Sequence, residues 1–128
     1  MNGLMMYSQL TITSIMKHAD KIHGASEIVS FTPDNPTHRY TYKDAFKRTR
    51  QLANALNALK LKKGDRIATL AWNDYRHFEL YYAISCSGQI CHTINPRLFP
   101  EQIEFIINHA EDKWIFTDPL FVPLLEAL

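Results

Sequence analysis

Three short runs of β-forming residues, separated by two helical segments, constrain this chain more than anything else in it. Residues 66–71 (RIATLA) follow a Gly64-Asp65 turn signal, and residues 90–94 (ICHTI) and 113–117 (KWIFT) are rich in β-branched or aromatic side chains. Between consecutive runs lie about a dozen residues of helical periodicity. Strands joined by helices of that length lie parallel, with right-handed crossovers and the helices packed on the sheet. The expected fold class is therefore α/β, a parallel βαβαβ unit. Its sequence carries no recognisable catalytic constellation.

The preceding residues read as a prefix. Residues 10–23 have weak helical periodicity, with Ile12, Ile15, Met16 and Ala19 on one face and Gly24 as a stop. Residues 27–32 and 38–41 are strand candidates around the turn cluster Pro33-Asp34-Asn35-Pro36, which suggests a hairpin. Thr41 is a helix N-cap with Asp44 three positions on, a capping-box arrangement that satisfies otherwise orphaned N–H groups. Phe46, Leu52, Ala53, Leu56 and Leu59 form the inward stripe of that helix, Lys43, Lys47, Arg50 and Asn57 face water, and Gly64 is expected to end the element. The division that results is one partial domain over 1–128: a helical lead-in at 1–24, a hairpin at 27–41 and the α/β unit at 42–128.

Within the unit, Asn73 or Asp74 caps a helix expected to bury Phe78, Tyr81, Tyr82 and Ile84, closed by Gly88 in the left-handed conformation. Pro96 ends the second strand, and Pro100 suits the first helical turn, where its missing N–H costs nothing. Ile103, Ile106 and Ile107 then face inward, Glu101 and Glu104 outward. Residues 120–128 begin another apolar helix carrying Phe121, Val122, Leu124, Leu125 and Leu128. A doubly wound sheet would continue with a further strand, so the sequence is expected to stop mid-fold, as part of a larger N-terminal domain.

A formal net charge of +1 gives no reason to expect nucleic acid or an anionic membrane surface as partner. The basic group Lys60, Lys62, Lys63 and Arg66 is expected to solvate a helix C-terminus. Cys86 and Cys91 are too few for a disulfide framework and lack zinc spacing; they read as buried thiols in a reducing, cytoplasmic compartment. The N-terminus does not read as a signal peptide. The longest stretch free of Asp, Glu, Lys and Arg, residues 80–96, carries too many polar residues to span a membrane.

Phosphate-cradling loops need closely spaced glycines whose N–H groups can approach the anion. Gly3, Gly24, Gly64 and Gly88 all stand more than twenty residues apart, which excludes G-x-G-x-x-G and Walker loops. None of the six histidines has metal-ligand spacing, so no metal site is expected. His92 beside Cys91 is the one tempting pair, but neighbours on a strand point to opposite faces, which leaves His92 a core or capping role. Tyr81 and Tyr82 read as core aromatics with their hydroxyls at the edge. Two loops carry functional weight, because ligands of open parallel sheets bind beyond the carboxyl ends of the strands. These are Trp72-Asn73-Asp74 and Asn95-Pro96-Arg97, with Trp72, Asn73, Asn95 and Arg97 as candidate substrate-side residues. The blander role open to them is that Asn73 and Asn95 cap helices or turns while Arg97 pairs with a carboxylate.

Over residues 27–118 the chain resembles the N-terminal part of adenylate-forming acyl-CoA synthetases. Tyr40-Thr41-Tyr42, Gly64-Asp65-Arg66-Ile67-Ala68 and Asn95-Pro96-Arg97-Leu98 carry the resemblance. The phrase HTINPRLFPEQIEFIINHAED is similar to the branch acting on medium- or long-chain fatty acids and methylthiopropionate-like acids. The resemblance implies ATP, Mg and coenzyme A as the parent's cofactors and co-substrates. It also implies a two-step reaction, in which a carboxylate is adenylated and coenzyme A then displaces AMP. The family's phosphate loop, its adenine- and ribose-binding segments and its catalytic lysine all come after the matching region, so no catalytic residue transfers to these positions. The expectation is an inactive N-terminal piece of an acid–CoA ligase. The alternatives are a non-catalytic α/β interaction or dimerisation module, and more weakly a small enzyme using His92 or Cys91; the apolar C-terminal helix and half-covered sheet lead to an expectation of self-association.

Overall fold

Side chains of the middle strand alternate between two apolar layers, and this alternation organises the molecule. The computed structural model describes residues 3–128; Met1 and Asn2, the first positions of the expected lead-in, lie outside the described residues. In chain order the elements are α1 (Ile12–His23), β1 (Glu27–Ser30), β2 (His38–Thr41), α2 (Tyr42–Ala58), β3 (Arg66–Leu70), α3 (Tyr75–Cys86), β4 (Ile90–Thr93), α4 (Pro100–Ala110), β5 (Trp114–Thr117), a 3-10 turn (Pro119–Phe121) and α5 (Val122–Glu126). Ile67, Ala68, Thr69 and Leu70 of β3 are all fully buried. Ile67 packs with Leu56 of α2 and Leu80, Ala83 and Ile84 of α3. Ala68 and Leu70, pointing the other way, pack with Ile94, Ile103 of α4 and Phe121.

β1 and β2 form an antiparallel pair, Glu27 opposite Thr41. β3, β4 and β5 form a parallel sheet in the order β4-β3-β5, with Arg66 beside Ile90 and Ile67 beside Trp114. Because β3 is central, the two crossovers run in opposite directions, and right-handedness puts α3 and α4 on opposite faces. The hairpin is held to the α2/α3 layer by stacking, the rings of His38 and Tyr75 lying 3.7 Å apart, while α2 and α3 are joined where the buried Glu79 carboxylate accepts from Arg48 Nε at 2.7 Å. A buried carboxylate needs such a partner, since unpaired charge is expensive to desolvate.

Local signals behaved as their chemistry dictates. Thr41 Oγ1 accepts the Asp44 N–H at 3.2 Å while Asp44 Oδ2 accepts the Thr41 N–H at 3.1 Å, closing the capping box. Gly88 closes α3 with φ 86°. Several expectations need correction. β1 ends at Ser30, because Thr32 turns the chain by accepting the Asn35 N–H on its hydroxyl at 3.0 Å. α2 ends at Ala58, and the left-handed residue after it is Lys60 (φ 58°), not Gly64. Gly64 (φ 87°) instead aligns the starts of two strands, its N–H donating to Gly88 O at 2.9 Å. Arg66 serves a different helix end from the one expected. Its guanidinium donates to Ala110 O and, at 2.9 Å, to Glu111 at the C-terminus of α4.

The largest correction concerns which helix faces are inside. α3 buries Leu80, Ala83 and Ile84, while Phe78 and Tyr82 are half-buried and Tyr81 is exposed. On α1 only Met16 is buried; Ile12 and Ile15 are exposed. The two errors have one cause, since α1 covers the aromatic side of α3 incompletely. At the other end, Phe121, Leu124 and Leu125 pack into the second core, so that apolar segment is half covered, with Leu120 and Leu128 left exposed.

Burial on both faces makes β3 the most sensitive element. Ile67→Ala should cost roughly 2–5 kcal/mol, as deletion of fully buried aliphatic groups does, whereas Ile15→Ala should stay within about 0.5 kcal/mol. Urea unfolding of the two variants measures the difference.

Candidate functional site

β3 and β4 are neighbours whose outgoing loops leave toward opposite faces of the sheet, and a crevice opens where such connections diverge. Each loop is tied down by its own residues. After β3, Trp72 donates its N–H to Asp118 Oδ2 at 2.8 Å, across the end of β5. Asp74 caps α3, its Oδ1 accepting the N–H groups of Arg76 and His77 at 2.8 and 3.1 Å. Arg76 folds back on Asp74 Oδ2 at 2.6 Å and reaches Asp118 at 3.8 Å. After β4, Ile94 donates to Thr69 O, and Asn95 Oδ1 accepts the Arg97 N–H at 3.0 Å, forming an Asx turn.

The four residues singled out by position, Trp72, Asn73, Asn95 and Arg97, all line one cleft of about 820 Å³. The Arg97 guanidinium stands 6.0 Å from the centroid of the Trp72 ring, a cation–π arrangement between the two loops. The blander roles hold only in part. Asn95 does cap a turn, but Asp74 rather than Asn73 caps the helix, and Arg97 forms no ion pair among the described residues.

Sequence reasoning missed three contributors to this cleft. His77, one turn into α3, is buried and fixed at both ring nitrogens: Nδ1–H points to Trp72 O at 3.3 Å, and Nε2 meets Thr69 Oγ1 at 2.9 Å. Tyr81, one turn further on, stacks on the His77 ring at 4.8 Å and lines the cleft rather than the core. The spacing His77–Tyr81 was visible as an i, i+4 pair. The third contributor, Val29, Ser30 and Phe31 at the end of β1, comes from far away in sequence and had no local signal.

His92 lies apart from the cleft. Its Nδ1 meets Asp112 at 2.8 Å, tying β4 to the turn before β5, while Cys91 packs into the opposite core. The two therefore form no dyad, and burial pushes the Cys91 thiol above its ordinary pKa, away from the reactive thiolate. Among the described residues no group of three or more His, Cys, Asp or Glu could hold a metal ion.

Burial lowers the His77 pKa from its ordinary 6.5, against the raising effect of the Trp72 carbonyl. The unfolded chain therefore takes up this proton first as pH falls below 6.5, and the fold loses stability until the folded-state pKa is passed. Urea midpoints compared between about pH 7 and pH 5 should fall more for the native chain than for His77→Gln.

Comparison with known proteins places this geometry. The profile of the family described as AMP-binding enzyme matches residues 16–127. A medium-chain-fatty-acid–CoA ligase of Ectopseudomonas oleovorans is 50% identical over 128 residues, all of this chain and 23% of that protein. A 3-methylmercaptopropionyl-CoA ligase of Ruegeria lacuscaerulensis is 48% identical over the same 128 residues, 24% of its length. The chain thus spans about a quarter of the curated relatives it matches (23% and 24%). The crystal structure of the N-terminal domain of FACL13 from Mycobacterium tuberculosis superposes with a TM-score of 0.81 at 23% identity, covering 93% of this chain and 29% of that one. With its parallel three-stranded sheet and matching fold, the chain belongs to the AMP-binding enzyme family.

Proposed function

We propose that this chain is the substrate-facing α/β layer, within a larger N-terminal domain, of an ATP-dependent ligase that joins a carboxylic acid to coenzyme A. The observation that carries the reading is the convergence of two loops on one cleft, in a chain half identical to a fatty-acid–CoA ligase. The acids are medium- or long-chain fatty acids or related carboxylates, in keeping with the names of the relatives. The reaction has two steps. The carboxylate attacks the α-phosphate of ATP to give an acyl-adenylate and pyrophosphate, and the thiol of coenzyme A then displaces AMP. Trp72, Asn73, Asn95 and Arg97 form the substrate or coenzyme A side of the site.

The described residues do not fit a Mg site, having no suitable cluster of donors, and the glycines are too far apart to cradle a triphosphate. No step through the metal or the phosphates is therefore assigned to these residues. The free cysteines fit a reducing, cytoplasmic setting, and no helix among the described residues is long and apolar enough to cross a membrane.

Two measurements test the reading. In the full-length ligase, Arg97→Gln should lower kcat/KM for thioester formation about tenfold, the size expected for one lost charge-assisted contact. Unchanged kinetics would remove Arg97 from the site. The 128-residue chain alone should release no pyrophosphate from ATP with any fatty acid, and turnover above a buffer blank would refute its dependence on further segments.

A second reading, as an interaction or dimerisation surface, is favoured by one observation. The apolar C-terminal segment is only half covered, with Leu120 and Leu128 exposed, and exposed apolar patches mark interfaces. Light scattering over increasing concentration should show dimers or larger species; a monomer throughout would refute this reading.

A further inference from the structure

The candidate cleft is walled by two sheets that share no backbone pairing among the described residues. The loops after β3 and β4 grow from the parallel sheet, whereas Val29, Ser30 and Phe31 belong to the end of the two-stranded β1-β2 sheet. No ladder fixes one wall against the other, so the width of the cleft depends on how the hairpin docks. The open end of the hairpin is held by the chain itself, since α1 leads into β1 and β2 runs straight into α2. Its other end has no such tether. There Ser30 is paired with His38, which places His38 at the level of the cleft-lining residues.

His38 meets the other wall through one ring. It stacks on Tyr75 with 3.7 Å between centroids and 16° between planes. Tyr40, two positions along the same face of β2, meets Tyr75 edge-on at 5.9 Å. Tyr75 is the first residue of α3, directly after Trp72-Asn73-Asp74, so its backbone moves with that loop. The Tyr75 ring is itself confined. The guanidinium carbons of Arg48 and Arg76 each lie 5.7 Å from its centroid, and Glu79 holds Arg48 while Asp74 holds Arg76. Neither His38 nor Tyr75 is among the residues lining the cleft. The His38 ring is gripped by its face, because Nε2 is buried and has no hydrogen-bond partner. A buried polar atom left unpaired is a cost that an apolar ring of similar shape avoids.

We propose that the His38–Tyr75 stack is the spacer that sets the distance between the hairpin wall and the wall formed by the loop after β3. His38 is thereby a positioning residue for the part of the substrate or coenzyme A that enters the cleft. This rests on the reading of the cleft as a substrate site, and adds a residue outside the cleft that governs its width. The ring acts through its flat shape, and not as an acid, a base or a hydrogen-bond donor. Removing it frees the end of the hairpin, and with it Val29, Ser30 and Phe31. Replacing it with another flat ring leaves the wall in place.

The test compares His38→Ala with His38→Phe in the full-length ligase. His38→Ala should raise KM for the carboxylic acid or for coenzyme A about fivefold, the order that a lost aromatic stack supports, with kcat and KM for ATP unchanged. His38→Phe should restore the native values. His38→Leu, apolar but without a flat face, takes the place of the alanine variant if that one fails to fold, with the same result expected. Amide hydrogen exchange reads the wall independently of activity: residues 29–31 should exchange faster in His38→Ala and at the native rate in His38→Phe. A phenylalanine variant as impaired as the alanine one would show that the ring nitrogens matter and overturn the proposal. So would a fall in active enzyme with both KM values unmoved, the mark of a merely structural contact. If Arg97→Gln alters the kinetics while His38→Ala does not, the spacer fails and the substrate-site reading stands. If the native enzyme forms no thioester, that reading fails and exchange decides the spacer, which faster exchange in His38→Ala alone upholds and unchanged rates overturn.

Discussion

Burial of β3 on both faces is the constraint under which the other elements are arranged. Ile67 and Thr69 look toward α2 and α3, Ala68 and Leu70 toward α4 and the C-terminal turn. A strand hidden on both sides needs a helical layer on each, and its two neighbours must enter from opposite directions to supply them. The order β4-β3-β5 meets that need. It also creates the crevice, because adjacent β3 and β4 send their loops to opposite faces. The apolar requirement of one strand and the location of the candidate site are thus consequences of the same topology.

Polar groups at the carboxyl end of the sheet hold that crevice in shape. Asp118, at the end of β5, accepts from the Trp72 backbone, and Asp74 both caps α3 and restrains Arg76. With these acids satisfied locally, Arg97 is left over the Trp72 face with no ion pair among the described residues. Thr69 extends the same ordering inward: buried in β3, it meets His77, whose ring supports Tyr81. A side chain of the central strand therefore positions an aromatic ring on the rim. The rigid sheet carries the loops, and the loops carry the candidate site residues.

Much of this was legible in the residues, and the division tracks the range of the interactions. The capping box of Thr41 and Asp44, the cap at Asp74 and the left-handed Gly88 all depend on partners within a few positions, so their residue types announce them. The parallel arrangement could be read from strand and helix lengths alone. The buried face of α3 could not. Phe78, Tyr81 and Tyr82 are large and apolar enough to suggest a core face, yet of the expected residues only Ile84 is fully buried, joined by Leu80 and Ala83, because α1 leaves part of the aromatic side open. The end of α2 was misassigned because Lys60 adopts the left-handed conformation that glycine would normally supply.

Residue patterns were enough to set the elements, their parallel pairing and the placing of Trp72, Asn73, Asn95 and Arg97 beyond the strands, because periodicity, capping and crossover length are local properties. Long-range packing settled the remainder: that β3 lies in the middle, that those four residues line one cleft, and that His77, Tyr81 and the end of the hairpin join them. Each of these depends on contacts between segments distant in the chain, and so on which apolar faces can be buried together. Close packing decides that competition among whole elements, and local residue patterns do not encode its outcome.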